Sequence, residues 1–237
     1  MTLRTNARVA GVTFLFYIAA GITSLALSGR ATAGAGTAAK LASIAQHETA
    51  MRGVALLSLP IGFSALVLGV TLYAITREQD RDLAMLGLIC RVGEGLSGLS
   101  MSTALALLWL ATSGDGQSDT AATRALGAYL LSLGAWSPSA IFFAAGSTIF
   151  SWLLVRGRMI PAALAWLGLV ASVLLVVVLP LQFAGLIRST NFFGVLTWVM
   201  WLPMLVFEVT FAVWLIVKGV ATPARLESPL VPQTAGR

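Results

Sequence analysis

Six stretches of this sequence are apolar for long enough to cross a lipid bilayer, and nothing else in it constrains the fold so strongly. A helix needs about 20 residues, at ~1.5 Å of rise each, to traverse a hydrocarbon layer of ~30 Å. Backbone groups in that layer have no water to bond, so a run of this kind satisfies them by coiling into a helix. The runs lie near Val9 to Ser28, Gly53 to Ile75, Leu83 to Ala111, Leu126 to Val155, Ala162 to Ile187 and Phe193 to Val217. The expected fold is therefore all-α, an integral-membrane bundle of six transmembrane helices forming one domain over residues 1–218. Composition agrees: 58% of the 237 residues are hydrophobic and 10% charged, which suits no soluble domain of this length.

The basic residues fall in short clusters between the runs and not on one face, so the lipid bilayer, and no nucleic acid, is the expected partner. With the N terminus inside, nine of them (Arg4, Arg8, Arg77, Arg81, Arg156, Arg158, Lys218, Arg225 and Arg237) face the cytoplasm. Five (Arg30, Lys40, Arg52, Arg124 and Arg188) face outward. The excess of Arg and Lys on the inner side places both termini in the cytoplasm. The turns "TREQDRD" and "RGRMIP" fall on one side, because two helices separate them. Indole prefers the headgroup level; Trp152, Trp166 and Trp214 fall near inner ends, and Trp109, Trp198 and Trp201 near outer ones. The first run is longer than the ~7 to 15 residues of a signal-peptide core, so it is expected to stay as an anchor. In "TAAKLASIAQHETAMR", Leu41, Ile44, Met51 and Val54 recur at roughly helical spacing and predict a short helix on the outer surface. Pro223, Pro229 and Pro232 among small and polar residues mark 219–237 as a disordered cytoplasmic tail.

Enzyme chemistry has little to build on. His47 is the only histidine and Cys90 the only cysteine, so one chain cannot assemble a Cys/His zinc site, a two-histidine haem or an internal disulfide. Neither a metal nor another cofactor is expected. The glycines of "GEGLSG" have the spacing of a dinucleotide fingerprint, but they lie inside a membrane run with no strand before them. Ser137 and Ser139 have no histidine or lysine at their depth to activate them. No catalytic activity is expected.

Three charges lie inside the runs: Arg91, Glu94 and Glu208. Counting from Leu83 forward and from Lys218 back puts all three roughly 12 to 17 Å deep, near the middle of the layer. A charge there costs about 2.5 to 3.5 kcal/mol on insertion scales, so such residues face the bundle interior and pair. Arg91, Glu94, Gly98 and Ser102 recur at i, i+3, i+7 and i+11 and form one stripe of charged and small residues, suited to packing against other helices. Arg91 and Glu94 can neutralise each other, and Glu208 reaches Arg91 if their helices are neighbours. One glutamate is then left over and is expected to hold a proton. Trp136 and Ser137, beside Pro138 near mid-membrane, are expected to help line the site. Pro60, Pro138, Pro180 and Pro203 fall within runs and permit kinks. Two functions fit these charges. One is a proton, ion or small-ligand site in a small transporter or ligand-binding membrane protein; the other is a clamp that locks the bundle of a structural or accessory protein.

Several segments also resemble a known family. "CRVGEGLSGLS" with Arg91 and Glu94, "IFFAAGSTIFSWLLVRGRMIP" leading into "LAWLGLVAS", and "WLPMLVFEVTFAVWLIVKGV" with Glu208 are similar to the bacterial multi-pass membrane family of unknown function DUF4386. "RVAGVTFLFYIAAGITSLAL" and "MRGVALLSLP" extend the resemblance over most of residues 8–220. It implies a six-helix protein of the bacterial inner membrane in which these three charges belong to the pattern, and it implies no activity. Where family members often carry a histidine early in the fourth span, this chain has Trp136 or a neighbour.

Overall fold

The structure, a computed structural model, describes residues 2–98, 101–113, 120–135, 138–184, 186 and 195–221. The described residues form helices and no strand: α1 (Leu3–Ala31), α2 (Gly36–Gln46), α3 (Glu48–Thr76), α4 (Arg81–Gly98), α5 (Met101–Thr112), α6 (Ala121–Ala135), α7 (Pro138–Arg156), α8 (Ala162–Phe183) and α9 (Val195–Val217). Six helical stretches are long and apolar enough to cross a membrane, α4 with α5 making the third and α6 with α7 the fourth. The outward side chains Val12, Phe16, Phe63, Val70, Ile89, Val170 and Val177 are apolar and exposed, as a lipid-facing surface requires.

The spans close into a ring in chain order. α1 packs on α3, α3 on α4, α4 on α7, α7 on α8 and α8 on α9, and α9 returns to pack on α1. Small residues let the backbones approach: a Cβ on Gly95 of α4 would lie 2.8 Å from the Gly62 carbonyl oxygen of α3, closer than carbon and oxygen can sit. The main core fills this ring with Phe14, Leu68, Leu72, Phe143, Phe150, Leu175, Phe207 and Phe211. Phe14 meets Phe211 edge-on at 5.7 Å between centroids, and Phe207 stacks on Phe211 at 5.3 Å. A second core gathers Leu41 and Ile44 of α2 against Met51, Ala104, Leu107 and Leu108 at the other end of the bundle.

The two polar turns do share one end. Asp80 Oδ1 accepts from the Leu83 amide at 3.1 Å and caps α4. Its other oxygen pairs with Arg156 at the end of α7, 3.3 Å away. The helix expected from "TAAKLASIAQHETAMR" is shorter than its sequence pattern: α2 stops at Gln46 and α3 begins at Glu48, so the second span starts there and not near Gly53. Met51 and Val54 keep the spacing of Leu41 and Ile44 because both helices press on the same cluster. Pro60, Pro180 and Pro203 lie inside helices, and Pro138 lies within the fourth candidate span, Ala121–Arg156. The last turn does not fray at Gly219; the Ala221 amide bonds the Met159 carbonyl at 2.9 Å, and the rest of the expected tail lies outside the described residues.

Candidate functional site

Arg91 and Glu94 are three residues apart on α4, so one turn of helix sets both side chains on its inward face. Arg91 Nη1 donates to Glu94 Oε2 at 2.8 Å. The other end of the guanidinium is held by α7, where Ser147 Oγ accepts from Nη2 at 2.9 Å. The other carboxylate oxygen is held by α1, where the Tyr17 hydroxyl donates to Oε1 at 2.9 Å. One ion pair thus joins the first, third and fourth spans. It is sealed: Arg91 is 1% exposed and Glu94 2%.

Aromatic rings enclose the cation, with the guanidinium carbon 5.0 Å from the Phe143 centroid and 5.9 Å from that of Phe14. Gly69 of α3 makes room beside it, since a Cβ there would come within 2.9 Å of Arg91 Cβ. A buried pair is tolerated only where hydrogen bonds satisfy its remaining donors and acceptors. Here Arg91 Nε alone of the pair's side-chain atoms is buried without a partner.

Glu208 adjoins this cluster without bonding to it. Its helix, α9, packs on α1 and α8 and not on α4, so the expected contact with Arg91 is not made, and among the described residues no ion pair includes Glu208. The carboxylate is nonetheless only 5% exposed, and its Oε1 has no hydrogen-bond partner. Glu208 lines a pocket of ≈ 230 Å³ with Tyr17, Ser139, Ala140, Phe143 and Trp201. Trp201 lies seven residues before Glu208 on the same face of α9, about 10 Å along its axis. The Phe143 and Trp201 rings lie 5.9 Å apart and tilted by 32°. Trp201 therefore forms part of the pocket wall.

The structure brings Arg91 and Glu94 together and sets Glu208 on the adjoining pocket. A Cβ added to Gly98 would meet Ser139 Oγ at 3.2 Å, and Gly98 is not among the residues lining the pocket. Ser102 belongs to α5, its side chain outside the description, and Trp136 and Ser137 lie outside the described residues. Ser139, two residues on, does line the pocket, and its hydroxyl donates to the Glu94 backbone carbonyl at 3.1 Å. Ser147 and Phe143 carry no pattern in the sequence that marks them. The one available signal was Tyr17, a polar tip in the middle of an apolar run. Among the described residues no three His, Cys, Asp or Glu side chains gather as a metal site would require.

The family described as Domain of unknown function (DUF4386) matches residues 9–219. The chain belongs to DUF4386. That match runs from α1 past the end of α9, so Tyr17, Arg91, Glu94, Ser147 and Glu208 all fall within the DUF4386 region. No curated protein and no solved structure matches the chain.

Proposed function

We propose that this DUF4386 chain is a bacterial inner-membrane protein, with both termini in the cytoplasm, that binds a small ligand at Glu208 as a small transporter or ligand-binding protein and not as an enzyme. The observation that carries this reading is the Glu208 carboxylate, buried, with Oε1 unpartnered, on the wall of a pocket lined from α1, α7 and α9. An ionisable group inside a membrane bundle is costly and marks a pathway or a binding site when no structural partner accounts for it. Arg91, Glu94, Tyr17 and Ser147 are bonded to one another beside the pocket, which Tyr17 also lines. The nine-to-five distribution of basic residues supports the orientation.

A second reading rests on the same quartet. Its bonds join three spans, which is what a purely structural or accessory protein would need to fix helix register. Thermal-shift screens over pH and small molecules, with flux assays in liposomes, separate the two. Under the ligand reading, wild type responds to a compound and Glu208→Gln folds without responding. Under the structural reading, wild type responds to none.

A further inference from the structure

We infer that the Glu208 pocket takes a small organic cation, an amine or quaternary ammonium compound. This rests on the ligand-binding reading above and names its ligand class. Charge comes first. Arg91 is engaged by Glu94 at 2.8 Å, whereas Glu208 Oε1 has no hydrogen-bond partner and no ion pair among the described residues includes Glu208.

Donors come next, because they decide the sign of the ligand. The two hydroxyls on the pocket wall are already committed: Tyr17 to the Glu94 carboxylate and Ser139 to the Glu94 carbonyl. With both hydroxyls committed, the lining offers the Glu208 carboxylate as acceptor and the Trp201 indole N–H as its one remaining side-chain donor. An anion would meet the Glu208 carboxylate with a single indole N–H to offset it. A polyhydroxylated neutral molecule would leave most of its own groups unpaired.

The walls fit a cation as well. Phe143, Trp201 and Tyr17 present three aromatic rings beside one carboxylate, the combination that recognises quaternary ammonium groups through ring quadrupoles and charge together. Arg91 already lies against Phe143 at 5.0 Å, so this environment holds a delocalised cation within the same structure. A bare metal ion is a poorer match, because hard cations require several oxygen ligands at once. The volume, ≈ 230 Å³, lies below the roughly 300 to 1,000 Å³ of drug-sized sites, which limits the ligand to a small molecule.

The test uses the full chain purified in a maltoside detergent free of choline lipids. Choline chloride and tetramethylammonium chloride are titrated by thermal shift and calorimetry against sodium chloride at matched ionic strength and against the neutral tert-butyl analogue of choline. Saturable binding of the two cations is expected, about tenfold or more weaker in Glu208→Gln and Trp201→Leu and retained in Trp201→Phe. Equal binding of the neutral analogue by wild type overturns the assignment, and that comparison needs no variant to fold. A neutral or anionic compound whose binding depends on Glu208 also overturns it while leaving the ligand-binding reading intact. If no compound of any charge binds, both fail.

Discussion

Tyr17 on α1 donates its hydroxyl hydrogen to Glu94 on α4 at 2.9 Å, tying the first span to the third through a carboxylate that Arg91 already neutralises. Tyr17 also lines the pocket of Glu208. One phenol thus borders both the satisfied acid and the unsatisfied one, and its single hydrogen goes to the first.

Replacing Tyr17 by Phe keeps the ring and removes the bond. Interhelical hydrogen bonds in membranes average about 0.6 kcal/mol and reach ~1.7. The charged acceptor places this one toward the upper end, so Tyr17→Phe should lower stability by about 1 to 2 kcal/mol in detergent unfolding. An unchanged unfolding midpoint would show that Glu94 Oε1 does not depend on the phenol.

Arg91→Met removes the cation and strands Glu94 among apolar side chains, a loss of about 3 to 5 kcal/mol. Adding Glu94→Gln should recover a large part of it. The double-mutant cycle measures the pair directly, and additive losses would mean that the two residues are not coupled.

Glu208 should behave in the opposite way. Since no partner holds its Oε1, Glu208→Leu removes a buried polar group without stranding another, and stability should stay within about 1 kcal/mol of wild type or rise. A fall as large as that of Arg91→Met, read by the same unfolding assay, would assign Glu208 to the structural cluster.

Gly69→Ala puts a methyl group 2.9 Å from Arg91 Cβ and 3.0 Å from Leu88 Cδ1, and overpacking of this kind costs about 1 to 3 kcal/mol. Gly21 has nothing within 4 Å of the same added atom. Gly21→Ala should therefore be neutral, or stabilising by up to ~1 kcal/mol through helix propensity. Melting curves of the two variants check the contrast, and equal effects would argue against the close approach of α3 to α4.

Orientation is read by labelling. Arg77 and Glu78 are exposed in the turn before α4, while Cys90 is buried. Glu78→Cys should react with a membrane-impermeant thiol reagent in inside-out vesicles and stay unlabelled in right-side-out ones. The reverse pattern would invert the topology.

The six spans were legible because lipid leaves backbone groups no partner but the helix itself, so each crossing leaves a long apolar run. Arg91 and Glu94 were legible together because their spacing alone puts them on one face of α4. Glu208 was legible as a charge in the wrong solvent, but its isolation was not. Whether it meets Arg91 depends on which helices are neighbours, and periodicity along one helix does not encode that. The roles of Tyr17, Ser147 and Ser139 were hidden for the same reason, since each meets the Arg91 and Glu94 segment from another helix. The overrun at α2 has a different cause: apolar spacing continued across a helix boundary because α2 and α3 face one cluster.

The return of α9 onto α1 sets an order for biogenesis. Synthesis delivers the N-terminal segments first. Tyr17, Arg91, Glu94 and Ser147 belong to the first, third and fourth spans, so their network can assemble while the ribosome is still making the remainder. Glu208 arrives with the final span and has no part in those bonds. A nascent chain arrested after α8 would hold the completed ion pair beside an open lateral seam between α1 and α8, and insertion of α9 is the event that turns that seam into a walled pocket.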